Sequence, residues 1–297
     1  MSHHWFSCPD TYVIVNGYRM HYFHSGTDQE NVVVMLHGSY SSSYSYRNFF
    51  PRLVGAEWRC LALDCIGFGE SDKPIGIDTH TFDFHSDNLE IFIRELGLKN
   101  VVLIGHELGG LMALDYAINR PDNTRALVMM NSNSAIANRA SRLRSIVNRS
   151  ILGDMLVRRF NLPLQNGSLD HKVYYKDNLD CEVKNNYRRH FPDYGSRAGI
   201  LAFLRMVPQN ETEYGFKRIR TMRNNARDLI PPALLIESRF DPLFDEDEAK
   251  ALRRLIPKAE LRVLEDGGHL LQEDRPDLIS KWILDFLERM APVGLLL

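Results

Sequence analysis

The chain has 297 residues, with 36 Lys and Arg against 38 Asp and Glu (net charge −2), 44% hydrophobic and 25% charged residues. This is the composition of a globular domain with a full core. It excludes a collagenous, disulfide-scaffold or wholly disordered chain and argues against nucleic acid as a partner. No apolar run approaches the roughly 18–20 residues of a membrane span. The opening MSHHWFSCPD has no apolar stretch of signal-peptide type. Cys8, Cys60, Cys65 and Cys181 make no CxxC pair, which suits reduced thiols in a cytoplasmic protein.

In chain order, Tyr12–Val15 and Tyr18–His24 flank Asn16-Gly17, the strongest short signal for a β-hairpin. Val32–Leu36 is a continuous apolar run ending at His37-Gly38. It reads as a strand covered on both faces, as in a parallel sheet. Cys60–Leu63, Val101–Ile104, Ala126–Met130, Ala233–Ile236 and Glu260–Leu264 repeat the pattern. Helical spacing falls between them, over Phe84–Leu96 before Gly97, over Leu111–Asn119, and over Pro276–Met290 with proline at its first position. Strands alternating with helices predict an α/β fold with a mostly parallel central sheet, the hairpin adding antiparallel strands at one edge. The alternation breaks between about Ser134 and Asp228, a stretch too long for a loop in a compact domain. The expected organisation is a core of 1–133 and 229–297 carrying a helical cap over 134–228.

Gly105-His106-Glu107-Leu108-Gly109-Gly110 stands between a buried strand and a helix. Glycines two places either side of Glu107 permit a sharp turn that aims its side chain outward at the head of the helix, where the dipole favours negative charge. Asp241, in the loop after Ala233–Ile236, and His269, after Gly267-Gly268, complete an ordered set of carboxylate, acid and histidine. Asn131, Ser132 and Asn133 follow the fourth parallel strand. No acid stands there, which strengthens Asp241. Asp64, Gly67 and Gly69 read as turn residues. Arg139, Arg142 and Arg144 read as a solvated basic face, and Asp245–Glu248 as an acidic helix start. There is no metal-ligand cluster, P-loop or dinucleotide fingerprint, so no metal and no cofactor are expected.

On the segments His37–Leu53 (HGSYSSSYSYRNFFPRL), Leu63–Pro74 (LDCIGFGESDKP) and Gly97–Gly110 (GLKNVVLIGHELGG), the chain resembles the α/β-hydrolase superfamily over nearly its whole length. Its nearest look is to the haloalkane dehalogenase and epoxide hydrolase branch. The resemblance implies the α/β-hydrolase fold with an inserted helical cap. It also implies oxyanion-hole amides at Ser39 or Tyr40 and at Leu108. His37 and His106 flank those turns, at the substrate site or as braces for the loops. Tyr174, Tyr175, Tyr187 and Tyr194 fall in the cap, and epoxide hydrolases use cap tyrosines to protonate the epoxide oxygen. Of these, Tyr174 and Tyr175 are taken as substrate contacts. This sequence departs from the pattern in several places. Glu107 stands where the family has Ser, Asp or occasionally Cys. Ser39 and Leu108 replace the Asn and Trp with which a dehalogenase holds halide. Tyr40 stands where epoxide hydrolases carry proline.

A glutamate, with a reference pKa of about 4.3, needs no base to become a nucleophile. Its natural covalent partner is an sp³ carbon bearing a leaving group, giving an alkyl ester. His269, oriented by Asp241, would then activate water to cleave that ester. The extra methylene relative to aspartate moves the carboxylate by about 1.5 Å, so the pocket must be adapted to it. Three readings stay open: a cofactor-independent hydrolase acting on a small or medium apolar substrate, a proton-transfer enzyme using Glu107 and His269 as acid and base, and a ligand-binding protein or nucleophile-substituted serine hydrolase. The expected partner is a small molecule, with neither nucleic acid nor membrane, and the chain is expected as a monomer or homodimer.

Overall fold

The computed structural model describes residues 11–27, 30–132, 151–208, 211–213, 215–242 and 246–290. Eight strands form one sheet in the order β1-β2-β4-β3-β5-β6-β7-β8. They are β1 (Thr11–Val15), β2 (Tyr18–Ser25), β3 (Val32–Leu36), β4 (Arg59–Leu63), β5 (Val101–His106), β6 (Thr124–Met130), β7 (Ala233–Ser238) and β8 (Glu260–Leu264). The pairs β1/β2 and β2/β4 are antiparallel and all others parallel. Asn16 (φ 48°) and Gly17 (φ 82°) both take the positive φ of a type I′ turn, which matches the twist of the strands they join.

The central parallel strands β3, β5 and β6 are largely apolar because both faces of the sheet are covered there. Val32, Val34 and Leu36 of β3 join the core on one face, and Val33 and Met35 join that on the other. Helices α2 (Phe82–Glu95) and α3 (Leu108–Asn119) pack on the first face; α1 (Phe50–Gly55) and the C-terminal α8 (Pro276–Glu288) pack on the second. Burying one such aliphatic side chain stabilises the fold by about 1.5–3 kcal/mol.

The segment between β6 and β7 carries no strand among its described residues. It contains short helical turns and α4 (Cys181–Arg188), α5 (Ala198–Arg205) and α6 (Phe216–Asn225). It lies on loops at the carboxyl ends of the strands. A Cβ on Gly199 would fall 2.9 Å from the Gly67 carbonyl, and Phe203 packs on Phe68 at 4.3 Å between ring centroids. Helix α7 (Glu246–Leu255) precedes β8. Cys8, Asn133, Arg139, Arg142, Arg144, Asp245 and the side chains of Glu246, Asp247 and Glu248 lie outside the described residues. No described helix is long and apolar enough to cross a membrane.

The order of the strands places the site. The chain leaves β3 for β4 on one side and returns to β5 on the other, so the loops after β3 and β5 face each other across a crevice. In an open α/β sheet this is where ligands bind.

Candidate active site

Glu107 closes β5 in a conformation that L-residues rarely adopt, φ 52° and ψ −118°. Two close approaches make the turn possible. A Cβ on Gly105 would lie 2.4 Å from the Gly109 backbone, and one on Gly109 would lie 2.4 Å from the Leu36 carbonyl. Only glycine lets β5, the turn and the head of α3 come this close. The Glu107 amide donates to the Met130 carbonyl at 3.0 Å, which fixes the turn to β6. The strain is offset by this bracing, and the carboxylate is aimed into the crevice.

There the loop after β3 receives it. The Ser39 amide donates to Oε2 of Glu107 at 2.7 Å, and the Ser39 hydroxyl donates to Oε1 at 2.9 Å. Ser39 thus supplies both donors, and its hydroxyl is a contact that the resemblance to dehalogenases gave no reason to expect. Gly38 leaves room for this: a Cβ there would stand 2.6 Å from Oε2. Leu108 is the first residue of α3, at the dipole end that favours the carboxylate.

His269 and Asp241 complete the arrangement. Asp241 Oδ2 lies 2.9 Å from His269 Nδ1. On the other side of the ring, Nε2 lies 3.9 Å from Glu107 Oε2 and makes no hydrogen bond. All three side chains are buried, at 2% exposure for His269, 5% for Glu107 and 6% for Asp241. Burial disfavours the imidazolium, but the Asp241 carboxylate, by charge and hydrogen bond, and then Glu107 outweigh it. The His269 pKa is raised above the ordinary histidine value.

Asn131, at φ 46°, brackets this half of the site. Its Nδ2 donates to the Gly268 and His269 carbonyls at 3.1 Å, and its Oδ1 accepts from the Ser238 amide at 2.8 Å. The position after β6 therefore holds the histidine loop, and Asp241 orients the ring.

His37 and His106 brace neighbouring loops. His37 lies beside the Gly38 carbonyl through Nδ1 (2.8 Å) and accepts the Cys65 amide at Nε2 (3.0 Å); burial holds its pKa down. His106 Nε2 lies 2.8 Å from the His269 carbonyl, and burial keeps the ring neutral. Tyr174 and Tyr175 also serve differently from the expectation. The Tyr175 hydroxyl donates to Asp266, and Tyr174 is 44% exposed, packed on Tyr175 and Phe240 at the outer rim. The other two tyrosines hold the insertion: Tyr187 donates to Glu273, and Tyr194 to Asp154. Tyr40 meets the site through its ring, edge-on to His269 at 5.6 Å.

A network that no motif marked ties the insertion to the histidine loop. The Asp274 carboxylate accepts the amides of Gly268, Tyr174 and Tyr175 at 2.8–2.9 Å. Glu273 is paired with Arg47 through two 2.6 Å bonds and also takes the Tyr187 hydroxyl. Lys172 lies in the same segment, with its ammonium 4.4 Å from the centre of the Tyr40 ring. Among the described residues no three His, Cys, Asp or Glu side chains gather as metal ligands.

This strand order, strained turn and ordered set define an α/β-hydrolase. The family model for the alpha/beta hydrolase fold matches residues 31–276, and the chain belongs to that family. Among its relatives is the cis-3-alkyl-4-alkyloxetan-2-one decarboxylase of Shewanella oneidensis, 28% identical over 279 residues, covering 92% of this chain and 86% of that one. Another is epoxide hydrolase 3 of Xenopus tropicalis, 25% identical over 288 residues, 92% of this chain and 76% of that one. The crystal structure of the haloalkane dehalogenase DatA from Agrobacterium tumefaciens superposes with a TM-score of 0.82 at 26% identity, covering 95% of this chain and 97% of that one.

Proposed function

We propose that this chain is a cofactor-independent hydrolase that uses Glu107 as a carboxylate nucleophile on a small or medium apolar substrate with an epoxide-like carbon. The observation that carries this reading is the placement of Glu107: a carboxylate held by the Ser39 amide and hydroxyl, facing an unpartnered Nε2 of a histidine whose other nitrogen is on Asp241. The 3.9 Å separation exceeds the about 2.6–3.2 Å of direct proton transfer. The pair is thus set for a step in which His269 acts on water beside the carboxyl group. Two of the relatives are named for substrates with a strained oxygen-containing ring, an epoxide and an oxetan-2-one. Ser39 and Leu108, where dehalogenases place halide donors, weigh against alkyl halides.

In the first step a Glu107 oxygen forms a bond to the ring carbon. The carbon–oxygen bond of the ring breaks, and its electron pair leaves with the oxygen, which takes a proton from solvent. In the second step neutral His269 takes a proton from water, and the hydroxide adds to the ester carbonyl. Negative charge builds on the carbonyl oxygen, where the Ser39 amide stands and where Leu108 at the head of α3 offers the second donor. Collapse breaks the acyl–oxygen bond as the His269 imidazolium gives its proton to the departing alkoxide, and the Glu107 carboxyl group loses its proton to solvent, returning the carboxylate and releasing the diol. The β6–β7 insertion serves as the cap of this site. A cytoplasmic setting and a monomeric or homodimeric state belong to the same reading.

A second reading, in which Glu107 and His269 act on the substrate as acid and base, is favoured by one observation: both Glu107 oxygens are already engaged by Ser39. The two separate on incubation of His269→Ala with a panel of epoxides and alkyl halides, followed by intact mass and peptide mapping. The proposal expects a stable adduct on Glu107, absent from Glu107→Gln. Ligand binding with no adduct across the panel would sink it in favour of proton transfer or a binding role.

A further inference from the structure

Lys172 brackets His269 from two directions. Its backbone carbonyl accepts the Leu270 amide at 2.7 Å and stands 2.7 Å from where a Cβ on Gly268 would be, so the main chain of the insertion is pressed against both neighbours of His269. Its side chain reaches the other flank. The ammonium is tethered by the Pro163 and Ser168 carbonyls, each at 3.0 Å, and stands 4.4 Å from the centre of the Tyr40 ring, which packs edge-on against the imidazole at 5.6 Å. Two carbonyls and a π face are three acceptors for three N–H donors, a fixed seat for one positive charge.

We propose that Lys172 is a positioning residue for His269: the insertion supplies, through Tyr40, an ammonium that balances the two carboxylates flanking the catalytic imidazole. The charges around that ring can be set out element by element. Asp241 faces Nδ1 from the loop after β7, and Glu107 faces Nε2 from the turn after β5. His106, at the end of β5, has its ring centroid 5.0 Å away and is held neutral by burial. Tyr40 contributes its ring from the loop after β3. Among the described residues Lys172 adds a cation to this set. Its charge opposes protonation of His269 and is itself supported by Glu107. Without it the imidazole would sit between two uncompensated carboxylates and hold its proton to higher pH. A base that must take a proton from water near neutrality is impaired by that change. Burial pulls the Lys172 pKa down to about 8, against the opposing charge of Glu107.

The inference rests on the reading of His269 as the base, and its test uses no turnover. The His269 imidazole is followed by NMR through a pH titration of the full chain, its resonance assigned with His269→Asn. The titration is run on wild type, Lys172→Met, Lys172→Gln and Lys172→Arg. The glutamine keeps a donor for the two carbonyls, which guards against loss of the fold. Neutral variants are expected to raise the His269 midpoint by about half a unit to one unit, and Lys172→Arg to leave it at the wild-type value. An unchanged midpoint in the neutral variants, or an equal shift in all three, would reduce Lys172 to a packing role and overturn the proposal. Either result leaves covalent chemistry at Glu107 untouched, and a missing Glu107 adduct leaves the titration standing.

Discussion

Two buried carboxylates stand at the ends of strands on either side of β3, each beside a histidine, and they have opposite characters. Asp64, after β4, accepts the Ser43 amide at 2.7 Å and the Glu70 amide at 3.0 Å, and lies 2.8 Å from His21 Nδ1. A Cβ on Gly69 would land 2.0 Å from its carboxyl group. Burial alone would raise its pKa, but His21 and the amides more than offset this and hold it far below the usual carboxylate range. Glu107 is held from one side by Ser39 and faces a histidine nitrogen at 3.9 Å that has no hydrogen bond. A carboxylate gripped from all directions braces loops. One gripped from one side, with an unbonded histidine nitrogen opposite, is left open to a further partner.

The sharpest way to break the contrast is to neutralise each carboxylate in turn. Glu107→Gln removes the nucleophile of the proposed mechanism and is expected to lower turnover by about 10⁴-fold or more, in the range of other catalytic-unit losses, while the fold persists. Activity assays and thermal unfolding of the same sample check both halves. Asp64→Asn is expected to do the reverse, costing about 3 kcal/mol or more of stability by leaving its partners unpaired. Denaturant titration reads this. The sign with pH follows from the lowered pKa of Asp64. Its contribution is present above the unfolded-state value of about 3.9 and is lost as pH falls through the folded-state value. The gap between wild type and Asp64→Asn should therefore close in acid.

Gly38→Ala presses a methyl to within 2.6 Å of Glu107 Oε2. Displacing the carboxylate this way is expected to cost about 10²-fold in rate with a smaller loss of stability, a split that kinetics and calorimetry would expose. The last effect is on the pH profile. Because the His269 pKa is raised, the acid limb of turnover should have its midpoint above about 6.5, with rate rising as the imidazole loses its proton. A limb at or below the ordinary value would show that the carboxylates around His269 do not govern it.

The centre of the sheet was legible because its strands are covered on both faces. Val32–Leu36 and Glu260–Leu264 have the bounds the sequence predicts, and the other strands extend the expected runs by one or two residues. The Asn16-Gly17 turn and the C-terminal helix beginning at Pro276 were equally plain, since their signals are local. Glu107, Asp241 and His269 were found by their order after strands, and the fold brings them together. What was missed has no local signature. The Ser39 hydroxyl acts only because β3 lies between β4 and β5, a fact of topology. Lys172 and Asp274 matter through partners about 100 residues away in the chain. Tyr174 and Tyr175 were plausible by composition, but the backbone amides of the pair dock on Asp274 and turn the rings to the rim.

The three amides gathered by Asp274 have a consequence for how such an enzyme could change its substrate range. One carboxylate joins Gly268, beside His269, to Tyr174 and Tyr175 of the insertion. The two parts are therefore not separable modules. A chimera that exchanged the segment between β6 and β7 for another would strip Asp274 of two partners and Leu270 of its carbonyl, and would loosen the histidine while leaving the sheet intact. New specificities on this scaffold have to come from single replacements inside the insertion, with the Lys172–Tyr175 strap inherited unchanged.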